Sequence, residues 1–199
     1  MIRIRRAVRG DAPAIGRVHV ETWQSAYAGL LPDSMLAQMS DVRQSALWAR
    51  TLGNQVEARG VFVADDEEMG VVGFGSCGPV RDLPEGLDRA DRGRVGEVYL
   101  LYVETDFQNR GLGRRLLDAM FRQLRADGFD TAALWMLAEN PTRFFYEGLG
   151  GTLVGERTDT FAGADVDEVA YAWRDLAAPL VRRRLAPDAQ SGGQGDERG

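Results

Sequence analysis

Residues 95–124 constrain the fold of this 199-residue chain more than any other segment. They read VGEVYLLYVETDFQNRGLGRRLLDAMFRQL, an apolar strand-like run followed by a turn with Gly111 and Gly113 and then an amphipathic helix. The first N–H groups of a helix have no partner inside it, and the helix dipole favours negative charge there. Glycine also lets the backbone approach a phosphate without a Cβ in the way. We therefore expect residues 109–114 to bind a phosphate-bearing ligand.

The residues around this turn argue against three other phosphate-binding arrangements. A Walker A loop ends in Gly-Lys-Ser/Thr, whereas all 24 basic residues of this chain are arginine. The absence of lysine also excludes a Schiff base with pyridoxal phosphate. A dinucleotide fingerprint needs a third glycine three positions after Gly113, where Leu116 stands.

Composition narrows the class of protein further. A net charge of −6 argues against nucleic acid as a partner and mildly favours cationic substrates. No apolar run approaches the roughly 18 residues of a membrane span, and the N-terminus lacks the apolar core of a signal peptide. The single cysteine, Cys77, fits a reducing compartment. One histidine and one cysteine leave little for a zinc site, although an all-carboxylate site stays open. We predict a cytoplasmic, metal-independent protein.

Hydrophobic periodicity predicts an α+β fold with a mixed sheet. Strands are predicted over 2–5, 60–64, 70–77, 94–103, 131–136, 151–155 and 169–173. Helices are predicted from the cap Asp11 to Gly29, over about 33–52, from Leu112 to Gly128 and over 141–148. Residues 80–93 are predicted to form a loop. We expect one domain over 1–176 and a C-terminal extension over 177–199 that is disordered from about residue 186, where apolar residues become scarce.

Three segments resemble the GNAT N-acetyltransferase superfamily. The central one is Gln108-x-x-Gly111-x-Gly113 after Leu101-Tyr102-Val103, which resembles the family's acetyl-CoA motif. Residues 134–151, LWMLAENPTRFFYEGLGG, look like its segment of strand, Asn, short helix with Phe-Tyr, and Leu-Gly turn. Residues 19–36 are similar, more loosely, to the N-terminal helix region of bacterial members.

The resemblance implies a GNAT fold: a mostly antiparallel mixed sheet, splayed at a β-bulge and flanked by about four helices. It also implies acetyl-CoA as the cofactor. Its pantetheine arm and acetyl oxygen would pair with main-chain groups of the splayed strand, and its diphosphate with the glycine turn. The implied cofactor-binding residues are Leu101, Tyr102, Val103, Gln108, Asn109, Arg110, Gly111, Leu112, Gly113, Arg114 and Asn140. Asn140 is also an ordinary helix N-cap candidate before Pro141.

The same resemblance implies the catalytic groups. Tyr146 matches the tyrosine that protonates the leaving thiolate, although packing in the core is the alternative for its side chain. Glu97 is our candidate general base, acting through water, with a surface salt bridge as the alternative. Glu21, Trp23 and Tyr27 are weaker candidates for an acceptor pocket.

The implied activity is transfer of an acetyl group from acetyl-CoA to a primary amine by direct attack. The net negative charge and the carboxylate-lined loop 81–91 favour a small cationic molecule as acceptor. Two alternatives stay open: acetylation of a protein N-terminus or lysine, and a catalytically silent CoA-binding regulatory module. The resemblance also makes a homodimer possible.

Overall fold

The computed structural model describes residues 1–161 and 164–180, and its described strands form one seven-stranded sheet. The strands lie in the order β1-β2-β3-β4-β5-β7-β6, and every neighbouring pair is antiparallel except β4 with β5. Their bounds are β1 Ile2–Arg6, β2 Val61–Asp66, β3 Gly70–Pro79, β4 Val95–Val103, β5 Thr131–Leu137, β6 Thr152–Phe161 and β7 Ala164–Trp173. The α+β class with a mixed, mostly antiparallel sheet is confirmed.

Helices cover both faces of the sheet. Their bounds are α1 Ala12–Ala26, α2 Asp33–Ala37, α3 Asp41–Gly53, α4 Gln55–Ala58, α5 Leu112–Ala126 and α6 Arg143–Gly148. Successive residues of a strand point to opposite faces, and β2 shows the result. Phe62 and Ala64 pack with α5, whereas Val61 and Val63 pack with α1 and α3. The apolar stripe of α5 is fully buried at Leu116, Leu117, Met120 and Leu124.

The central feature of the sheet is the short contact between β4 and β5. These parallel strands pair only over Val95–Glu97 and Thr131–Ala133 and then separate. On the other side of β4, Ser76 pairs with Leu100 and Cys77 with Val98, so Tyr99 is the extra residue of a β-bulge. The predicted splaying at a bulge is confirmed.

Several predicted elements have different lengths in the structure. The helix predicted over 33–52 is two helices, because the chain turns between Ala37 and Ser40, whose hydroxyl caps α3 by accepting from the Arg43 amide. Within residues 1–161 and 164–180 there are six α-helices, two of them of only four or five residues, where about four were expected. The late strands β6 and β7 are ten residues each, twice the predicted length, because they pair with each other along their whole hairpin.

The segment 80–93, predicted as a loop, is packed against the sheet. Pro84 and Leu87 are buried in a small core with Val154 of β6, and a 3₁₀ turn closes the segment at Arg89–Arg94. The Gly86 amide donates to the Val154 carbonyl. A Cβ at Gly86 would lie 2.5 Å from that same oxygen, so only glycine permits this approach.

The predictions about the C-terminal extension and about membrane spans can be compared with the described residues only. The disorder predicted from about residue 186 falls outside the described residues, as does most of the extension 177–199. Within the described ranges, no helix combines the length and apolarity needed to cross a membrane.

Asp11 does not cap α1 as predicted, because Arg5 and the backbone use its carboxylate. Both oxygens accept from the Arg5 guanidinium, at 2.7 and 2.9 Å, and Oδ2 also accepts from the Val8 amide at 2.8 Å. The hydrogen bonds from Arg5 lower the pKa of Asp11 most, and the Val8 amide lowers it further. Asp11 therefore joins β1 to the start of α1.

We expect Asp11→Asn to lower the free energy of unfolding at pH 7 by about 1–3 kcal/mol, because charged hydrogen bonds are lost. A lowered carboxyl pKa stabilises the fold above its unfolded value of about 3.9 and stops doing so as pH falls through the folded value. Urea unfolding should therefore show the difference from wild type at pH 7 and a smaller one below about pH 4. Asp118→Asn, which removes an exposed pair with Arg122, is the control. An equal loss at both pH values would contradict this assignment.

Candidate active site

The gap between β4 and β5 exposes main-chain groups of β4. The Glu104 amide donates to Val72 of β3, and the N–H and C=O groups of an antiparallel strand alternate in direction. Tyr102 therefore points its main-chain groups to β3, while Leu101 and Val103 point theirs into the gap. The Val103 carbonyl accepts from the Gln108 side chain at 3.1 Å. The main-chain N–H and C=O groups of Leu101 and the N–H group of Val103 are thus available to a ligand.

This geometry corrects the expectation for the main chain of Tyr102, which pairs within the sheet. Its side chain faces the opposite way from those of Leu101 and Val103, which pack on the α5 side. The Tyr102 hydroxyl accepts from the Trp23 indole N–H at 2.8 Å. Burial raises the pKa of Tyr102 well above its ordinary value, so the phenol is neutral.

The glycine turn presents a run of amide groups at the start of α5. The first helical hydrogen bond runs from the Arg115 amide to the Gly111 carbonyl. Within residues 1–161 and 164–180, no hydrogen bond uses the amide hydrogens of residues 109–114. Unpaired amides that converge at a helix start form an anion-binding concavity. The turn therefore has the geometry of an anion-binding site.

The two glycines of the turn are needed for different reasons. Gly111 has φ +76°, and Asn109 has φ 58°, so both lie in the left-handed region that glycine and asparagine adopt most readily. A Cβ at Gly113 would lie 3.1 Å from the end of the Phe145 ring. Gly113 thus allows α6 to pack closely against the start of α5.

The arginines near the turn are held differently. Arg110 lies with its guanidinium carbon 4.9 Å from the centre of the Phe107 ring. Arg115 donates to the Ile2 carbonyl at 3.0 Å, so it ties α5 to β1. Arg110 and Arg114 are both exposed at the turn, where they add positive charge to the unpaired amides.

A cavity of about 510 Å³ opens between the separating strands. It is lined by Trp23, Tyr27, Leu31, Arg81, Asp82, Glu97, Val98, Tyr99, Leu100, Tyr102, Trp135, Met136, Leu137, Arg157, Asp159, Val166 and Glu168. The structure thus brings together four sequence-predicted residues: Glu97, Trp23, Tyr27 and Tyr102. Glu21 lies outside this lining and pairs instead with Arg17 on the surface of α1.

Glu97 is the last residue of β4 that pairs with β5, and its side chain is only 5% exposed. Oε2 accepts from the Arg81 amide at 2.8 Å, and Oε1 accepts from the Arg81 guanidinium at 2.7 Å. The same guanidinium lies over the Tyr99 ring, 3.9 Å from its centre. Glu97 is therefore a buried carboxylate whose two oxygens are both satisfied by one residue.

Seven charged or aromatic lining residues were not among the predicted site residues: Arg81, Asp82, Tyr99, Trp135, Arg157, Asp159 and Glu168. Arg157 contacts the carboxylates of Asp82 and Glu168 and lies 4.1 Å from the centre of the Trp135 ring. These residues come from separate segments of the chain, which meet only when the segment after β3 packs beside the paired strands β5, β7 and β6. The carboxylates of 81–91 and the charged residues of 156–159 were the available sequence signals.

Tyr146, in α6, and Asn140, in the turn before α6, are both buried and are not among the residues that line the cavity. Tyr146 is buried, and its ring packs edge-on against Phe145 and Trp173. Burial, and then the nearby Tyr27 phenol, raise the pKa of Tyr146, so it keeps its proton across the physiological range. Asn140 accepts from the Thr142 amide at 2.9 Å and so stabilises the turn before α6.

Comparison with known proteins identifies the class that this fold and cleft define. The model of the acetyltransferase (GNAT) family matches residues 21–150. An uncharacterized N-acetyltransferase of Bacillus subtilis, YuaI, is 34% identical over 179 residues, which cover 89% of this chain and 96% of that protein. The chain therefore belongs to the GNAT family of acetyltransferases and is an acyltransferase.

Two further proteins are similar to this chain, one over part of its sequence and one in its fold. The mycothiol acetyltransferase of Saccharomonospora viridis is 36% identical over 95 residues, or 47% of this chain and 30% of that enzyme. The crystal structure of the PaiA N-acetyltransferase from Thermoplasma acidophilum, in complex with coenzyme A, has a TM-score of 0.62 at 15% identity. That match covers 85% of this chain and 98% of the other.

His19 lies beside the cavity as a neutral core histidine. Its ring stacks on Tyr102, and Nδ1 accepts from the Trp48 indole N–H at 3.3 Å. Burial lowers the pKa of His19 to about 4. Because it is the chain's single histidine, its ring proton resonances are unambiguous.

We expect the His19 ring to titrate near pH 4 in an NMR pH series, well below the unfolded value of about 6.5. A lowered histidine pKa means that protonation favours the unfolded chain. The stability that depends on the neutral ring is therefore present above about pH 6.5 and is lost as pH falls toward 4. A midpoint near 6.5 in the folded protein would contradict this burial.

Proposed function

We propose that this protein transfers an acetyl group from acetyl-CoA to a primary amine of a small cationic molecule. The observation that carries the proposal is the acidic, aromatic cavity that opens directly beside the exposed main chain of β4. An acceptor held in this cavity would face a donor held along Leu101 and Val103. Bound acetyl-CoA would supply an activated acetyl thioester, and the protein would supply the binding and proton transfers.

The residues of the chain fit a CoA ester at two places. The unpaired amides of 109–114, with Arg110 and Arg114, suit a diphosphate. The Leu101 and Val103 groups in the gap suit the amides of a pantetheine arm, which would add like a strand. We propose that the side chain of Asn140, in the turn between β5 and α6, also hydrogen-bonds the pantetheine arm. PaiA, solved with coenzyme A, supports this choice of cofactor through its similar fold.

The cavity suits a cationic acceptor because its charges do not cancel. Four carboxylates line it, Asp82, Glu97, Asp159 and Glu168, against the two guanidinium groups of Arg81 and Arg157. The rings of Tyr99 and Trp135 offer faces that attract cations. Its volume of about 510 Å³ falls within the range of small-molecule pockets. These features favour a small amine over a peptide N-terminus or lysine.

Two side chains are our candidates for general acid and general base. Tyr146 keeps its proton and is our candidate donor to the departing thiolate. Glu97 is our candidate acceptor of the amine's proton, directly or through water, because it is the buried carboxylate at the point where β4 leaves β5. Glu21 lies on the surface of α1, outside the cavity, and has no part in this proposal. A homodimer and a cytoplasmic location stay predictions.

The proposal is tested by combining calorimetry with thiol release. Coenzyme A should bind, and acetyl-CoA should release thiol with cationic amines such as putrescine or spermidine but not with peptides bearing a free N-terminus or lysine. Turnover with peptides only would favour the protein-acetylating alternative. Binding of CoA without turnover on any amine would favour the regulatory module. No heat with CoA would refute the cofactor site.

Tyr146→Phe should lower kcat by about 10²–10⁴ with little change in the affinity for CoA, because a general acid is lost while packing is kept. Tyr171→Phe is the matched control, since its hydroxyl contacts Glu147 outside the cavity. Thermal unfolding of both variants checks that they are folded. An unaltered kcat in Tyr146→Phe would remove this residue from the mechanism.

A further inference from the structure

We propose that the Arg81 guanidinium occupies the subsite for the acceptor's cationic amine and that the acceptor displaces it. This inference rests on the proposed function, and it assigns Arg81 as a specificity-determining residue. The Arg81 guanidinium then occupies the position that the acceptor's amine would take. A cationic amine can replace it beside Glu97, whereas an uncharged molecule cannot form the same ion pair.

The subsite consists of a carboxylate and an aromatic face. Glu97 Oε1 lies 2.7 Å from Arg81 Nη2 and 3.2 Å from Nε, and the Tyr99 ring lies beneath the guanidinium carbon at 3.9 Å. A carboxylate beside a ring face recognises an ammonium group as well as a guanidinium. Burial raises the pKa of Tyr99 to about 12, so the ring is neutral. The binding partners of a cationic amine are therefore assembled around Arg81.

Arg81 can leave this subsite without any movement of its main chain. Its amide donates to Glu97 Oε2 at 2.8 Å, and its carbonyl accepts from Arg92 at 3.0 Å. Its side chain is 63% exposed, so rotation about its own bonds takes the charge into solvent. Glu97 would keep one hydrogen bond from the Arg81 amide throughout, and only Oε1 would change its partner.

Arg157, the other arginine of the cavity, is held much more firmly. Its guanidinium contacts the carboxylates of Asp82 and Glu168, and its side chain is 30% exposed against the Trp135 ring. With a third, longer contact to Asp159 at 3.9 Å, an incoming amine would have to break three ion pairs to displace it. Arg157 is therefore a fixed residue of the cavity lining, and Arg81 is the arginine that a ligand can displace.

The test uses Arg81→Ala and, as the matched charge control, Arg89→Ala, an exposed arginine of the same segment outside the cavity. With a cationic amine that the wild type acetylates, Arg81→Ala should lower KM by about 3–10-fold, because the competing ion pair is gone. Arg89→Ala should leave KM unchanged. A KM that is unchanged or raised in Arg81→Ala would overturn the proposal.

Methylguanidinium chloride distinguishes displacement from a purely positioning role. It should inhibit Arg81→Ala competitively against the amine and inhibit the wild type far less, because the subsite is vacant only in the variant. If Arg81 served to position Glu97, methylguanidinium would instead raise kcat of the variant. That activation would also overturn the proposal.

Folding is controlled with Arg81→Gln, whose side chain keeps a neutral donor near Glu97, and with thermal unfolding of each variant. Methylguanidinium should raise the melting temperature of Arg81→Ala but not that of Arg89→Ala. Thiol release without a fall in KM would refute this inference alone. Absence of thiol release by the wild type on every amine would refute the proposed function, and the melting temperatures would still show whether the subsite binds a cation.

Discussion

The structure depends on the early separation of β4 from β5. Parallel pairing stops after Glu97, and beyond it each strand keeps only its outer neighbour. Main-chain groups that a continuous sheet would satisfy are left for a ligand, and the space between the strands becomes the cavity. The bulge at Tyr99 accompanies this separation by increasing the local bend of β4. The proposed donor and acceptor sites thus both arise from one interruption in a hydrogen-bonded ladder.

Glu97 stands at the point of separation, which explains its chemical situation. A buried carboxylate needs a partner, and removal of its partner is costly when the charge stays behind. Arg81 meets this need from a segment that Pro84 and Leu87 anchor to the sheet. The partner is nevertheless mostly exposed, so the charge can be exchanged for one carried by a ligand. The ion pair between Glu97 and Arg81 thus stabilises the buried carboxylate and, in our proposal, also selects the acceptor.

Much of the fold and the cofactor side could be predicted from local sequence. The amphipathic stripe of α5, the strand β4 and the turn with Gly111 are each encoded within a few residues of one another. Asp11 shows where local reasoning fails: a residue suited to capping a helix is used by Arg5, across the turn from β1. On the acceptor side, Glu97, Trp23 and Tyr27 could be predicted and do line the cavity. Arg81, Trp135 and Arg157 could not, because they come from distant segments that meet only in the folded chain.

By itself the sequence determined the class of fold, the glycine turn before α5 and the family, since these depend on residues close together in the chain. Only the tertiary structure decided which main-chain groups of β4 face the gap, that the Phe145 ring packs closely on Gly113, and that Glu97 is covered by Arg81. The physical reason is that strand register and the packing of loops are set by long-range contacts. Local propensity does not encode which charges those contacts bring face to face.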